Sequence, residues 1–253
     1  MAVLSLTENE CKEKFNESRK SILQRYKAAT KAALLGANFM SSSSIIVLQA
    51  LVLHILSIRD AEDPLAVWTF TGAVIRVAEG MGMRIDGDLL GLSPFETEIR
   101  RRIWLQLWGH DFRAAELAGQ SKVKAIEVDD NAPKPPANID DKDIYPSMLH
   151  LPADSTRPTE MLFCMFKADL GTHARSMKAQ LLKKGEGRFT SDELTAMDNL
   201  HMKDHFVQQM EEMLETKYIR YCDPSQPLHF FTLICARTAT HMMRFLTHHP
   251  RRW

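Results

Sequence analysis

The chain has 253 residues, 45% of them apolar and 25% charged, with 32 basic side chains against 32 acidic ones. A chain of this length buries roughly three quarters of its unfolded surface, so folding requires no disulfide or metal staple. A formal net charge of zero excludes a strongly basic nucleic-acid binder at the level of the whole chain, and a polybasic membrane clamp.

Four cysteines, Cys11, Cys164, Cys222 and Cys235, lie far apart with no Cys-x-x-Cys pair. Their spacing excludes a dense zinc cluster and a disulfide scaffold, and neither metal nor cofactor is expected. The start of the chain is too polar for a signal peptide. The most apolar run, Ile45 to Ile58, contains Gln49 and His54 and is too short to cross a bilayer. These features predict a soluble, reduced, intracellular protein without a membrane partner.

The pattern is helical throughout, so the fold class is all-α: one domain over 1–253, of about seven helices. The first helix is expected over Glu8 to Ala37, with Phe15, Ile22, Tyr26, Ala29 and Ala33 as its apolar stripe. Ser41 to Ser44 break it and offer an N-cap to a central helix, Ile45 to Arg59. Asp63-Pro64 opens a third helix through Trp68 and Val74 to about Met83. Gly72 is read as a point of close approach and Gly82 as the helix end. Gly87 to Gly91 is a turn. Ser93-Pro94-Phe95-Glu96 caps a long helix reaching about Ala118.

Gly119 to Pro158 is irregular and rich in Pro and Asp, a functional loop or a strap packed over the surface. A fifth helix covers about Thr159 to Lys183. Thr190-x-x-Glu193 marks a capping box for a sixth, ending near Tyr218. Asp223-Pro224 is a turn. Pro227 opens the last helix, with Leu228, Phe231, Cys235, Met242 and Phe245 on one face, up to Pro250.

Chemistry-bearing groupings are sparse. Arg100-Arg101-Arg102 is the sharpest charge cluster. Three successive helical positions point in three directions, so a solvated face paired with Glu96 and Glu98 is favoured over a phosphate contact. His110-Asp111 with Arg113 offers an acid–base pair. Adjacent helical residues diverge by about 100°, which favours a buried Asp111 paired to an Arg of another helix. His201 and His205 share one helical face at a zinc-compatible spacing. They lack the neighbouring catalytic Glu and a third ligand, so an exposed face is favoured. His248-His249 reads as a fraying end. Methionines such as Met81, Met83, Met161, Met165, Met242 and Met243 suit either core filling or an adaptable pocket, and core filling is favoured.

Several blocks nevertheless resemble one family, the regulatory domain of fungal-specific transcription factors that lies downstream of a zinc binuclear cluster. Val47-Leu48-Gln49-Ala50-Leu51-Val52-Leu53 is similar to its first conserved helix. Trp68, Gly72, Arg76, Ala78, Met81 and Gly82 fall at the spacing of its second. Ser93-Pro94-Phe95-Glu96-Thr97-Glu98-Ile99-Arg100-Arg101-Arg102-Ile103-Trp104 resembles its signature block. Asn138-Ile139-Asp140-Asp141-Lys142-Asp143-Ile144 and Asp223 to His229 resemble later ones. The structural motif residues the resemblance implies are Trp68, Gly72, Arg76, Pro94, Phe95, Glu98, Arg102, Trp104 and Asp111, with Trp68 and Trp104 as core anchors. Met83 to Gly87 departs from the family's turn, no six-cysteine run is present, and the match reads as truncated at its C-terminus.

The resemblance implies an effector-sensing regulatory domain, or a stand-alone derivative acting through a protein partner. Direct specific DNA binding by this chain is not expected, since no DNA-binding domain is present. Its ligand would be a small-molecule effector. The alternative is a cofactor-free cyclase or isomerase of a fungal secondary-metabolite pathway acting on a small-molecule substrate, with His54, Arg76, His110 and Asp111 as catalytic candidates. A regulator would be nuclear and an enzyme cytoplasmic.

Overall fold

The computed structural model describes residues 2–120, 131–183 and 200–248, with the side chains of 2, 174–183, 200–203, 246 and 247 left aside. Among the described residues there are nine α-helices and no strand. They are α1 (Ala2–Ser5), α2 (Glu8–Phe15), α3 (Arg19–Gly36), α4 (Ile45–Ile58), α5 (Pro64–Gly80), α6 (Pro94–Leu117), α7 (Leu162–Lys183), α8 (Leu200–Lys217) and α9 (Pro227–His248). The all-α reading therefore holds. By contact the chain divides into two compact units. One comprises Met1–Ile85 with Gln106–Gly119, and the other Asp86–Leu105 with Gln120–Trp253.

In the first unit, the single helix expected over Glu8 to Ala37 is two. Asn16 takes a left-handed conformation with φ of 54° and its N–H closes on the Lys12 carbonyl, which ends α2. Asn tolerates this conformation better than most residues. Ser18 then caps α3 through the Ser21 N–H at 3.2 Å. The expected stripe fails with the break. Ile22 is buried, but Phe15, Tyr26, Ala29 and Ala33 are exposed. The start of α2 carries a reciprocal cap between Thr7 and Glu10, a Thr-x-x-Glu signature.

Helix α4 buries Leu48, Leu51, Val52 and Ile55, spaced three and four apart on one face, and leaves Ile46 and Leu53 exposed. It packs on α3 and α5. Asp63 caps α5 through the Ala66 N–H at 3.0 Å, with Pro64 in the first turn as expected. Gly72 is not a point of close approach, since a Cβ built there meets nothing within 4 Å. Gly82, at φ of 76°, does end the helical path. Trp68 is half-buried rather than a core anchor.

In the second unit, close approach falls on Gly87. A Cβ there would sit 2.5 Å from Thr97 Oγ1 and 2.9 Å from Thr97 Cα. Gly87 lies in the turn that leads to α6, whose cap is Ser93 Oγ accepting from the Glu96 N–H at 3.2 Å. Trp104, on the same helix, is half-buried. Helices α7, α8 and α9 pack pairwise. Their shared core is Leu162, Phe166, Met210, Leu214, Tyr218, Ile219 and Ala236.

On α9 the apolar row that shares one face is not the buried row. Thr232, Ala236 and Thr240, four apart, are buried, whereas Leu228, Phe231, Met242 and Phe245 are exposed. Small side chains let α9 approach its neighbours closely. Each Thr hydroxyl is satisfied within the helix, Thr232 on the Leu228 carbonyl and Thr240 on the Arg237 carbonyl, both at 2.8 Å. The Thr190–Glu193 capping box lies outside the described residues.

Candidate functional site: a clamped strap and the cleft beside it

The irregular segment after residue 130 is a strap held by side chains rather than by a ladder. Two buried carboxylates do the holding, and each joins an arginine of α6 to a backbone N–H of the strap. Asp86 accepts from Arg101 Nε at 2.9 Å, from Arg101 Nη2 at 2.6 Å and from the Lys134 N–H at 2.8 Å. Glu98 accepts from Arg102 Nε at 2.8 Å and from the Ala137 N–H at 3.1 Å. Asp86 is 1% exposed and Glu98 0%. A buried charge of this kind is tolerated only when paired and hydrogen-bonded.

Burial alone would raise the Asp86 carboxyl. The Arg101 guanidinium and the Lys134 and Asp88 N–H groups prevail and bring it down to about 2. Asp88 extends the cluster, accepting from Arg101 at 2.7 Å and from Lys134 Nζ at 2.9 Å. Arg102 reaches onward to Asp141 at 2.5 Å and the Ile139 carbonyl at 3.4 Å.

The Asn138–Asp141 block closes the strap on itself. The Asn138 amide donates to the Ser155 carbonyl at 2.7 Å, and its oxygen accepts from Thr159 Oγ1 at 2.7 Å. The Ser155 N–H returns to the Asn138 carbonyl at 2.9 Å. Asp140 accepts from the Glu160 N–H at 3.0 Å, while Glu160 accepts from the Asp141 N–H at 2.8 Å. Ile139, between them, is buried. This reciprocal pairing carries 154–158 to the edge of α7 and α8.

There it borders a cleft of about 360 Å³ lined by Asn138, Asp154–Pro158, Leu162, Met165, Asp169, Thr216–Tyr218 and Tyr221. The Tyr218 hydroxyl donates to Asp169 at 2.7 Å, and Lys217 Nζ to the same oxygen at 2.9 Å. Burial first, and Asp169 second, push the Tyr218 phenol well above its ordinary value, so it stays a neutral donor. Asp169 and Lys217 neutralise each other. Asp154 is tied to the Asn138 N–H at 3.0 Å. Among the described residues no carboxylate pairs with Arg157. The cleft is thus lined by two acids, Asp154 and Asp169, and two bases, Arg157 and Lys217, beside the apolar Leu162, Met165 and the two tyrosines. Such a lining suits a molecule with an apolar body and a polar end.

The catalytic candidates of the sequence lie elsewhere, on α4, α5 and α6. His54 is half-buried and meets the Phe70 ring edge-on at 6.2 Å. Burial first, then Lys27 and Lys31, lower its pKa. Arg76 is exposed on α5. His110 is buried on α6. Asp111 beside it is half-buried and raised by burial. No ion pair forms at Asp111 among the described residues, contrary to the expected Arg partner, and Arg113 pairs with Glu116 at 2.5 Å instead.

His205 is exposed and lies 3.0 Å from the Gln209 amide, while the His201 side chain is outside the described residues. His248 meets Asp204 at 2.8 Å, so α9 does not simply fray there. His249 falls outside the described residues. Of the methionines singled out, Met83 and Met161 are buried and Met242 is exposed. Met81, Met165 and Met243 are half-buried, and Met165 lines the cleft.

The arginine run is not the solvated face that its spacing predicts. Arg100 pairs with Glu96 and Arg102 with Glu98 as expected, but Arg101 is 6% exposed and Arg102 is half-buried, because partners from other segments cover them. Sequence reasoning also missed Asp86, Lys134, Asp169, Arg157 and Lys217. The signal available for Asp86 was an acid in a turn shortly before an arginine run. The cleft residues carried none, since they come from segments distant in the chain.

The family model for the fungal specific transcription factor domain matches residues 1–146, and the chain belongs to that family. It is 35% identical, over 99% of its length, to the Aurofusarin cluster transcription factor aurR2 of Gibberella zeae, covering 36% of that protein. It is 30% identical to the Transcriptional regulator AacuB of Aspergillus aculeatus, over 99% of this chain and 33% of that one. A Pyriculol/pyriculariol biosynthesis cluster transcription factor of Pyricularia oryzae is also 30% identical, over 92% of this chain and 32% of that protein. The chain therefore spans about a third of the length of the curated relatives it matches. No solved structure matches it. Among the described residues no helix is long and apolar enough to cross a membrane.

Proposed function

We propose that the chain is the regulatory domain of a nuclear transcription factor controlling a fungal secondary-metabolite gene cluster. On this reading it senses a small organic acid in the cleft between the strap and helices α7 and α8. The observation that carries the first part is the likeness, over nearly the whole chain, to transcription factors named for such clusters. The cleft supports the second. A ligand carboxylate meets Arg157, its apolar body lies on Leu162 and Met165, and the neutral Tyr218 borders it, with Tyr221 alongside.

The strap links the cleft to the rest of its unit. Asn138 both lines the cleft and receives the Thr159 hydroxyl that fixes the strap. On this reading a ligand that presses on 154–158 bears, through Asn138, on the neighbouring Ala137, whose N–H donates to Glu98 of the clamp. Differential binding to two strap arrangements is what effector control requires.

The test is retention. The purified chain is mixed with a metabolite extract of the host fungus, desalted and denatured, and the released compounds are identified by mass spectrometry. An acidic compound with an apolar body is expected, with affinity reduced about tenfold or more by Arg157→Ala. Conversion of an extract component to a new product would contradict the regulatory reading. Retention unaffected by Arg157→Ala would contradict the cleft.

A further inference from the structure

We propose, on the reading of the cleft as an effector site, that it takes a hydroxylated aromatic acid, with the carboxylate on Arg157 and a ring hydroxyl donating to Asp169 Oδ1. Two hydrogen bonds at Asp169 end on the same atom. Tyr218 Oη donates to Asp169 Oδ2 at 2.7 Å, and Lys217 Nζ donates to that Oδ2 at 2.9 Å. Oδ1 takes neither, and it accepts from no other described residue. The Asp169 side chain is 33% exposed, so the carboxylate is open to the cleft that it lines. A carboxylate already neutralised by an ammonium gains little from a second cation. A neutral O–H adds a charge-assisted bond without adding charge. The further partner that suits Asp169 is therefore a hydroxyl.

Arg157 supplies the other contact. Its backbone is fixed on both sides. The N–H donates to Ser155 Oγ at 3.0 Å, and the carbonyl accepts from Asn138 Nδ2 at 3.1 Å. Its guanidinium forms no hydrogen bond or ion pair with a described residue. Held at its base and open at its fork, a guanidinium binds a carboxylate bidentately. Asp154, the second acid of the lining, is exposed and tied to the Asn138 N–H at 3.0 Å. Arg157 comes from the strap and Asp169 from α7. A ligand that uses both carries an acid and a separate hydroxyl.

The rest of the lining says what joins them. Tyr218 and Tyr221 bracket one short turn, closed by the Tyr221 N–H on the Tyr218 carbonyl at 3.1 Å, and both line the cleft with Leu162 and Met165. Aromatic rings and a thioether favour an aromatic guest over an aliphatic one. The volume, about 360 Å³, falls at the lower end of small-molecule sites, which fits one or two fused rings rather than a long chain.

The probes are naphthoic acid and a hydroxynaphthoic acid whose hydroxyl lies on the ring distant from the carboxyl. Each is titrated calorimetrically into the full chain. The hydroxylated probe should bind about tenfold tighter or more, because a site built to hydrogen-bond a hydroxyl rejects the analogue without it. Arg157→Ala should weaken both probes by a similar factor. Asp169→Asn should abolish the preference: one amide oxygen remains for Lys217 and Tyr218, and an amide N–H stands where Oδ1 stood. Asp154→Asn should leave the preference intact. Circular dichroism of each variant checks that it folds, and the comparison of the two probes on the wild type needs no variant.

Equal binding of the two probes overturns the proposal. So does a preference that survives Asp169→Asn, or one that Asp154→Asn abolishes instead. Binding of neither probe at about 1 mM overturns it as well. Failure of the effector reading itself looks different: the fungal extract then yields no retained acid, or one indifferent to Arg157→Ala. An extract acid that depends on Arg157 while the hydroxyl counts for nothing would sink this proposal alone.

Discussion

Asp86 and Arg101 form a bidentate pair at 2.6 and 2.9 Å, with the side chains 2% and 7% exposed, and the free side of the carboxylate takes the Lys134 N–H. The pair therefore fastens the strap as well as α6. Removing the carboxylate leaves a buried guanidinium without its counter-ion. Asp86→Ala should cost about 3–5 kcal/mol. Chemical denaturation of the variant measures it, and a loss below about 1 kcal/mol would show that the pair is not structural.

The same carboxyl sets a pH dependence. Its folded pKa, about 2, lies below the ordinary 3.8. A depressed carboxyl contributes stability that is present above the unfolded value and is lost as pH falls through the folded value. The window is thus about pH 4 down to about 2, and the contribution is about 2 kcal/mol. Unfolding free energies across that window should fall more steeply for the wild type than for Asp86→Asn. Parallel curves would contradict the assignment.

Gly87 and Thr97 make a second, steric prediction. With Thr97 Cα only 2.9 Å from a Cβ at Gly87, backbone must move to admit even Ala. Gly87→Ala should cost about 1–3 kcal/mol by overpacking. Gly72→Ala, with nothing within 4 Å, should be neutral or stabilising in mid-helix. Thermal melts of the two variants side by side decide this, and equal shifts would refute it.

Thr97 is also buried with no hydrogen-bond partner for its hydroxyl among the described residues. Thr97→Val keeps the shape and removes an unsatisfied polar atom. It should leave stability within about 1 kcal/mol of the wild type, or raise it. A loss beyond about 2 kcal/mol would reveal a hidden partner for the hydroxyl.

Much of the fold was legible because local signals agreed. Pro64, Ser93-Pro94 and Pro227 placed the starts of α5, α6 and α9 within a residue. The signals that failed were those that depend on a neighbour. Periodicity drew the stripe on α9 correctly but could not say which row faces inward. Small threonines with satisfied hydroxyls took the core instead. On α3 the same logic buried Tyr26 and Ala29, which are exposed. The arginine run was placed on the right helix with the right Glu partners. Its burial was hidden because Asp86 and Lys134 reach it from other segments. The cleft was illegible for that reason too: Arg157, Asp169 and Lys217 line it from the strap, α7 and α8, segments distant in the chain.

The claim that this chain regulates a gene cluster through its cleft is tested most directly in the host fungus. The native allele is replaced by Met165→Trp, which fills the cleft floor and leaves both carboxylate clamps intact. Transcripts of the neighbouring biosynthetic genes are then quantified at matched protein level. The account predicts that they no longer respond to the pathway's acidic metabolites, with a change of about tenfold or more. Transcript levels and responses equal to the wild type would contradict it.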